Sequence, residues 1–396
     1  MIHTSHSMLP VYPNRRYKIV AKHGQGSWLF SECGKKYLDF AMGIATNSLG
    51  HCHPSVVNTL KEQSEKLWHV SNLYSTKVQE SYAAKICEDT FADYVFFCNS
   101  GAEAIEGAIK IARTYQCSTE NINSYRIITF TGAFHGRTMG ALSATGKPEI
   151  CDNFKPMLDG MDQVPFGSFE EVQQAITEET CAILVEPIQG ESGVRVPSDD
   201  WLVFLRKLCD QNNLLLIYDE IQSGIGRTGK MFAHEWTNTK PDIMTIAKGI
   251  GSGFPLGAVL TTEEAARNIK EGSHGTTFGG SPLSTAVGLT VWDIIQQEDF
   301  LSNVVRTGNL LLSELNRIQS LYPNVIKRIR GKGLLVALEC CCNNLQFVDI
   351  LADIGLLSVP GGENTVRLLP ALNVTEEEIH IAIKMIQEAC MYTPDR

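Results

Sequence analysis

Leu214-Leu215-Leu216-Ile217-Tyr218-Asp219-Glu220 is an unbroken apolar run that ends in two carboxylates. It lacks period-two alternation, so it reads as a strand covered on both faces. Residues 94–98, 126–130, 181–185 and 242–247 read the same way. Helical patterns lie between them, such as 103–115 and 201–211. Strands and helices in this alternation predict an α/β fold with a doubly wound, mostly parallel sheet. Such sheets bind ligands in the crevice at the carboxyl ends of their strands, which is where Asp219 falls.

The flanks differ from this centre. Residues 1–52 carry turn signals and short strand candidates at 26–30 and 36–40. Beyond 290 come a long helical pattern over 304–320, strand candidates at 325–330, 334–339 and 365–369, and a helix from Glu376. The 396 residues are therefore expected to form a large domain over 53–290 and a smaller α+β domain built from both termini, 1–52 and 291–396. The formal net charge of −10 argues against a nucleic-acid partner. No apolar run reaches the ~18 residues of a membrane span, and residues 1–16 lack the apolar centre of a secretory signal. The twelve cysteines show no framework spacing. Cys340, Cys341 and Cys342 read as strand, which would send adjacent thiols to opposite faces and prevent joint chelation of a metal. All twelve are expected to be reduced thiols in a cytoplasmic protein.

Three segments carry candidate chemistry. Asn99-Ser100-Gly101-Ala102-Glu103 follows the 94–98 strand and opens a helix. The Ser100 hydroxyl and the amides of Gly101 and Ala102 could hold a phosphate there; an ordinary helix cap reads the same. Asp219 could hold the proton of a pyridine nitrogen, bind magnesium in a nucleotide hydrolase, or simply sit solvated after its strand. Lys248 closes Asp242-Ile243-Met244-Thr245-Ile246-Ala247-Lys248, 29 positions beyond Asp219. A lone lysine is usually a surface charge. A desolvated one at a strand's carboxyl end can act as an amine nucleophile and proton shuttle. Gly224-Ile225-Gly226-Arg227-Thr228-Gly229-Lys230 nearly matches a phosphate-binding loop, but Met231 stands where that loop needs a hydroxyl. His51-Cys52-His53 is followed at once by Pro54 and has no partner pair, so it reads as helix entry with solvated histidines, and no metal site is expected.

Beyond these segments the chain resembles the class III, pyridoxal 5′-phosphate (PLP)-dependent aminotransferases of fold type I. The resemblance runs from Tyr37-Leu38-Asp39-Phe40 to Val366-Arg367-Leu368-Leu369-Pro370. It rests most on Asp219-Glu220-Ile221-Gln222-Ser223-Gly224 followed by Lys248. Phe134-His135-Gly136-Arg137-Thr138, Glu186-Pro187-Ile188-Gln189-Gly190-Glu191 and Gly275-Thr276-Thr277-Phe278-Gly279-Gly280 add to it.

The resemblance implies a role for each position. Lys248 would carry PLP covalently and shuttle the proton, and Asp219 would pair with the ring nitrogen. Gln222 would bond the ring's phenolic oxygen, and Phe134 would cover its face. Ser100, Gly101 and Ala102 would hold the phosphate, with Thr277 supplied from the other subunit of a homodimer with shared active sites. Arg367 would bind the carboxylate next to the reacting carbon, with Glu191 shielding it while an ω-amine is bound. Arg137, aided by Thr276, would bind the distal carboxylate of N2-acetylornithine. The implied reaction moves that donor's δ-amino group to 2-oxoglutarate. Ornithine, 4-aminobutyrate and N-succinyldiaminopimelate remain alternative donors, and a 2,1-aminomutase is a more distant alternative. Ser75 and Thr76 stand where more aromatic character is expected, which bears on donor preference.

Overall fold

The computed structural model describes residues 17–116 and 124–393. Three strands open the chain as a meander: β1 (Ala21–Gln25), β2 (Trp28–Ser31) and β3 (Lys36–Asp39). The strand expected over 26–30 begins two residues later, because Gly26 and Ser27 form the turn between Gln25 and its partner Trp28.

Seven strands follow in one sheet: β4 (Tyr94–Cys98), β5 (Arg126–Phe130), β6 (Met161–Val164), β7 (Thr180–Val185), β8 (Leu215–Asp219), β9 (Ile243–Ile246) and β10 (Gly257–Thr261). Their order is β4-β10-β9-β8-β7-β5-β6. β5 through β9 run parallel, while β10 is antiparallel to both β4 and β9. The sequence reading has neither β6 nor β10. β6 is a short edge strand containing Asp162 and Gln163, and β10 offers only three apolar residues.

Every residue of β7 and β8 is buried. One face is covered by Ala104, Ile105, Ala108 and Ala112 of the Gly101–Gln116 helix. The other meets Trp201, Leu205 and Leu208 of the Asp200–Asn212 helix, with Trp201 edge-on to Phe130 at 5.4 Å. Cover on both faces leaves no position for a polar residue, which is why these strands show no alternation. Each fully buried leucine here stabilises the fold by roughly 1.5–3 kcal/mol.

The C-terminal part adds β11 (Ile326–Lys332), β12 (Leu335–Cys340), β13 (Leu356–Leu357), β14 (Val359–Gly361) and β15 (Thr365–Leu368). β11-β12-β15-β14 form a sheet, while β13 pairs in parallel with β3 and so completes the N-terminal sheet. The large, mostly parallel sheet is thus joined by a smaller α+β region made from both termini.

Two expectations are corrected. Only Cys340 belongs to β12; Cys341 and Cys342 lie beyond its end, so alternation along a strand does not govern them. His51 is not solvated, because its Nε2 lies 2.8 Å from Asp39 Oδ2 and the ring is largely covered. The glycine-rich 224–229 turn binds no ligand groove but the C-terminal part. Gly226 has φ +81°, and a side chain there would strike Ile295 and Leu372. Arg227, buried with no carboxylate partner among the described residues, donates to the carbonyls of Leu334 (3.2 Å) and Pro370 (2.6 Å). Among the described residues no helix is long and apolar enough to cross a membrane.

Candidate active site

A cavity of about 470 Å³ opens at the carboxyl ends of β8 and β9. Asp219 is the last residue of β8, and Lys248 follows β9 by two residues. Parallel pairing sets Asp219 opposite Thr245, so the two functional groups hang from adjacent strands of one rigid sheet. Lys248 has φ +46°, an unfavourable region for a lysine that turns the chain sharply at the cavity wall.

Asp219 is held from several sides. Its Oδ1 accepts from the Ile221 amide at 3.0 Å and the Thr245 hydroxyl at 3.4 Å. Its Oδ2 lies 2.7 Å from Nδ1 of His135, whose side chain is fully buried. An ionised carboxylate only accepts, so the ring proton sits on Nδ1. Among the described residues His135 Nε2 has no partner.

Lys248 is pushed down to about 8, chiefly by burial, with the Arg367 guanidinium adding to the effect and Asp219 opposing it. A lysine so shifted has a substantial neutral fraction near neutral pH. Glu186 lies 6% exposed at the back of the cavity. Its oxygens accept from the amides of Phe134 (2.8 Å) and Gly190 (3.2 Å). Burial raises its carboxyl to about 7, opposed by His135 and reinforced by Asp219.

Arg367 lies on β15 and is 1% exposed. Its Nη2 meets Glu191 Oε2 at 2.7 Å and the Pro360 carbonyl at 3.0 Å, while Nη1 donates to Gln222 Oε1 at 3.2 Å. A side chain at Gly190 would sit 2.1 Å from that Gln222 oxygen, so the close approach requires glycine there. Arg137 also lines the cavity, exposed and 5.5 Å over the Phe134 ring.

At the start of the Gly101–Gln116 helix, the Ser100 hydroxyl is used as a cap, accepting from the Glu103 amide at 3.3 Å and donating to Glu103 Oε2 at 3.2 Å. The first internal helix bond runs from Ala104 to Ser100. The amides of Gly101 and Ala102 precede it, and both residues line the cavity. They offer two donors at the positive end of a helix dipole.

Nine of the twelve expected site residues thus line one cavity: Ser100, Gly101, Ala102, Phe134, Arg137, Glu191, Asp219, Gln222 and Lys248. Arg367 stands directly behind Glu191 and Gln222. Thr276 and Thr277 do not reach the cavity of this chain. Thr276 Oγ1 is 3.4 Å from Asn99 Nδ2 at the rim, and Thr277 lines a separate depression with His69 and Asn72. The sequence alone assigns no role to His135, Glu186 or Thr245, although all three lie inside stretches quoted above: next to Phe134, just past the end of β7, and in the run that ends at Lys248.

The donor set fits PLP: an amine, a buried carboxylate, a polar amide, and two helix-end amides around one cavity. The sequence profile of the class-III aminotransferases matches residues 11–390. An acetylornithine aminotransferase of Brucella melitensis is 50% identical over 386 residues, 98% of this chain and 95% of that one. One from Mesorhizobium japonicum is 51% identical over 372 residues, 94% and 93% of the two chains. The solved ornithine aminotransferase of Toxoplasma gondii superimposes with a TM-score of 0.92 at 32% identity, over 96% of this chain and 92% of that one. The acetylornithine aminotransferase of Elizabethkingia anophelis gives 0.85 at 32%, over 98% and 96%.

Proposed function

The chain belongs to the class-III aminotransferases, and from that premise we propose that it moves the δ-amino group of N2-acetylornithine to 2-oxoglutarate, using PLP and giving N-acetylglutamate 5-semialdehyde and glutamate. The observation that carries the donor assignment is the pairing of two arginines with opposite circumstances. Arg367 is buried and neutralised by Glu191, 2.7 Å away. Arg137 is exposed at the mouth, and among the described residues no carboxylate pairs with it. A donor with a neutral acyl group, a distal carboxylate and an unadorned amine end suits that arrangement.

PLP, when bound, supplies electron withdrawal from the carbon that bears the amino group. The chain's own residues do the rest. Gly101 and Ala102 amides would hold the phosphate, and Asp219 would keep the ring nitrogen protonated, its orientation fixed by His135 and Thr245. Phe134 would cover one face of the ring. Gln222 would bond its phenolic oxygen. Lys248, neutral above about 8, would take the proton from the donor's δ-carbon and return it. Arg137 would hold the donor's carboxylate. When 2-oxoglutarate follows, Glu191 would release Arg367, whose planar fork then takes the carboxylate next to the keto carbon.

Donor selection is tested with N-acetylornithine, ornithine, N-succinyldiaminopimelate and 4-aminobutyrate, each with 2-oxoglutarate. N-Acetylornithine should exceed ornithine in kcat/KM by at least about tenfold, an ordinary margin for one recognition element. Arg137→Ala should raise the donor's KM far more than that of 2-oxoglutarate. Faster turnover of ornithine or 4-aminobutyrate would reassign the donor. Inertness toward every donor would favour a 2,1-aminomutase.

We also assign the working state to a homodimer. Trp68, Leu73, Tyr74 and Phe278 are 64%, 85%, 65% and 60% exposed around Thr276 and Thr277. Asn72 ties the two segments together by donating to the Gly279 carbonyl at 3.2 Å. A second copy covering this face would bury the aromatics and bring Thr277 to its neighbour's phosphate site. Light scattering should give twice the chain mass; a monomer with full activity would defeat the assignment.

A further inference from the structure

Arg137 sits in a connection whose direction nothing on its own side chain fixes. The guanidinium is exposed and lies 5.5 Å over the Phe134 ring, and among the described residues no carboxylate pairs with it. Its aim is therefore set by the backbone on either side. On the far side that backbone is held by a single atom of another element. Glu106, on the Gly101–Gln116 helix, presents Oε1 to the Thr138 hydroxyl (2.5 Å), the Gly140 amide (3.0 Å) and the Ala141 amide (3.2 Å). A methyl group at Gly140 would lie 2.5 Å from Glu106 Oε2, so the missing side chain is what admits the carboxylate. On the near side, a side chain at Gly136 would strike the Ala102 methyl at 2.9 Å. The connection that carries Arg137 is thus seated at both ends on the helix whose first turn lines the cavity.

As a helix cap alone, Glu106 would stabilise the fold without favouring one substrate over another. Its position beside Arg137 gives it a second consequence. We propose that Glu106 is a positioning residue that fixes the Arg137 guanidinium and so sets the preference for amino donors carrying a carboxylate remote from the reacting amine. This rests on the reading of Arg137 given above.

The test compares N-acetylornithine with N-acetylputrescine, the same acylated diamine without the carboxylate. The ratio of their kcat/KM values isolates recognition of that carboxylate. Glu106→Ala lowers the ratio by roughly ten- to a hundredfold, since a misplacement of about 1 Å can cost 10²-fold. N-Acetylputrescine turnover stays near wild type. Glu106→Gln regains most of the ratio, because all three donors meet one oxygen that an amide can still supply. Thr138→Val, an exposed change, gives a smaller drop in the same direction and serves if Glu106→Ala does not fold. Equal loss for both donors in Glu106→Ala, or a ratio within twofold of wild type in both Glu106→Ala and Thr138→Val, overturns the inference, provided Arg137→Ala abolishes the preference. If Arg137→Ala itself preserves the ratio, the reading of Arg137 falls first, and the inference with it.

Discussion

Lys248→Ala is expected to lower kcat by roughly 10³-fold or more, since positioned proton transfer alone contributes about 10²–10⁴-fold and the covalent hold on the cofactor is lost as well. The environment of the amine explains why no neighbour can replace it. Burial and the Arg367 charge bring it down to about 8, while the lysine stands at the end of β9 facing Asp219's strand. Lys147, also lowered by burial, does not line the cavity. The sign of the shift makes a second readout. Below about 8 the amine is charged and inert as a nucleophile; above it the amine is neutral. In cofactor-free wild type, an amine-reactive reagent followed by peptide mapping should label Lys248 at a rate that rises with pH and levels above about 8. An ordinary lysine would keep rising toward about 10.4. Turnover of Lys248→Ala within tenfold of wild type would remove Lys248 from the chemistry.

Asp219→Asn should lower kcat by about 10²-fold, the usual scale for losing one preorganised electrostatic partner. The substitution is a clean one. The asparagine oxygen can still accept from Ile221, which now bonds Oδ1 at 3.0 Å. The new amide would face His135 Nδ1, and the imidazole can answer by moving its proton to Nε2, which has no partner among the described residues. Packing is therefore preserved while the negative charge is lost. The melting temperature should stay within a few degrees of wild type, by about the 4 °C or less that 1 kcal/mol gives in a large domain. Nitrogen NMR of His135 should report the change of tautomer. A kcat within threefold of wild type would show that the charge at this position does not matter to the reaction.

What the sequence discloses and what it hides follow from how local each signal is. The 214–218 run declares itself because burial on both faces forces every residue to be apolar. Asp219 and Lys248 stand out as the polar residues that end two such runs. The strand Gly257–Thr261 hides, because its pairing with Tyr94–Cys98 and Ile243–Ile246 depends on partners far along the chain. Glu106 hides for a related reason. Within Gly101-Ala102-Glu103-Ala104-Ile105-Glu106 it reads as the solvated face of a helix, and the amides it serves open the short Met139–Ala144 helix, 34 residues away. His51 reads as solvated in the sequence because its partner Asp39 lies twelve residues back, across a turn. Arg367 is visible only through family resemblance, since an arginine in an apolar strand gives no hint of the glutamate it meets.

The register of β8 and β9 has a consequence for how such proteins diversify. Asp219 is fixed by main-chain pairing of β8 with β9, and Lys248 stands two residues beyond the end of β9, whereas Arg137 rides on a connection attached through Glu106. Under the roles proposed above, bond-making groups and donor-sorting groups answer to different mutations. With those roles a lineage could exchange one amine for another by reworking the connection while the reactive pair stays untouched, and a backbone shared with an ornithine aminotransferase at 32% identity is consistent with such a separation.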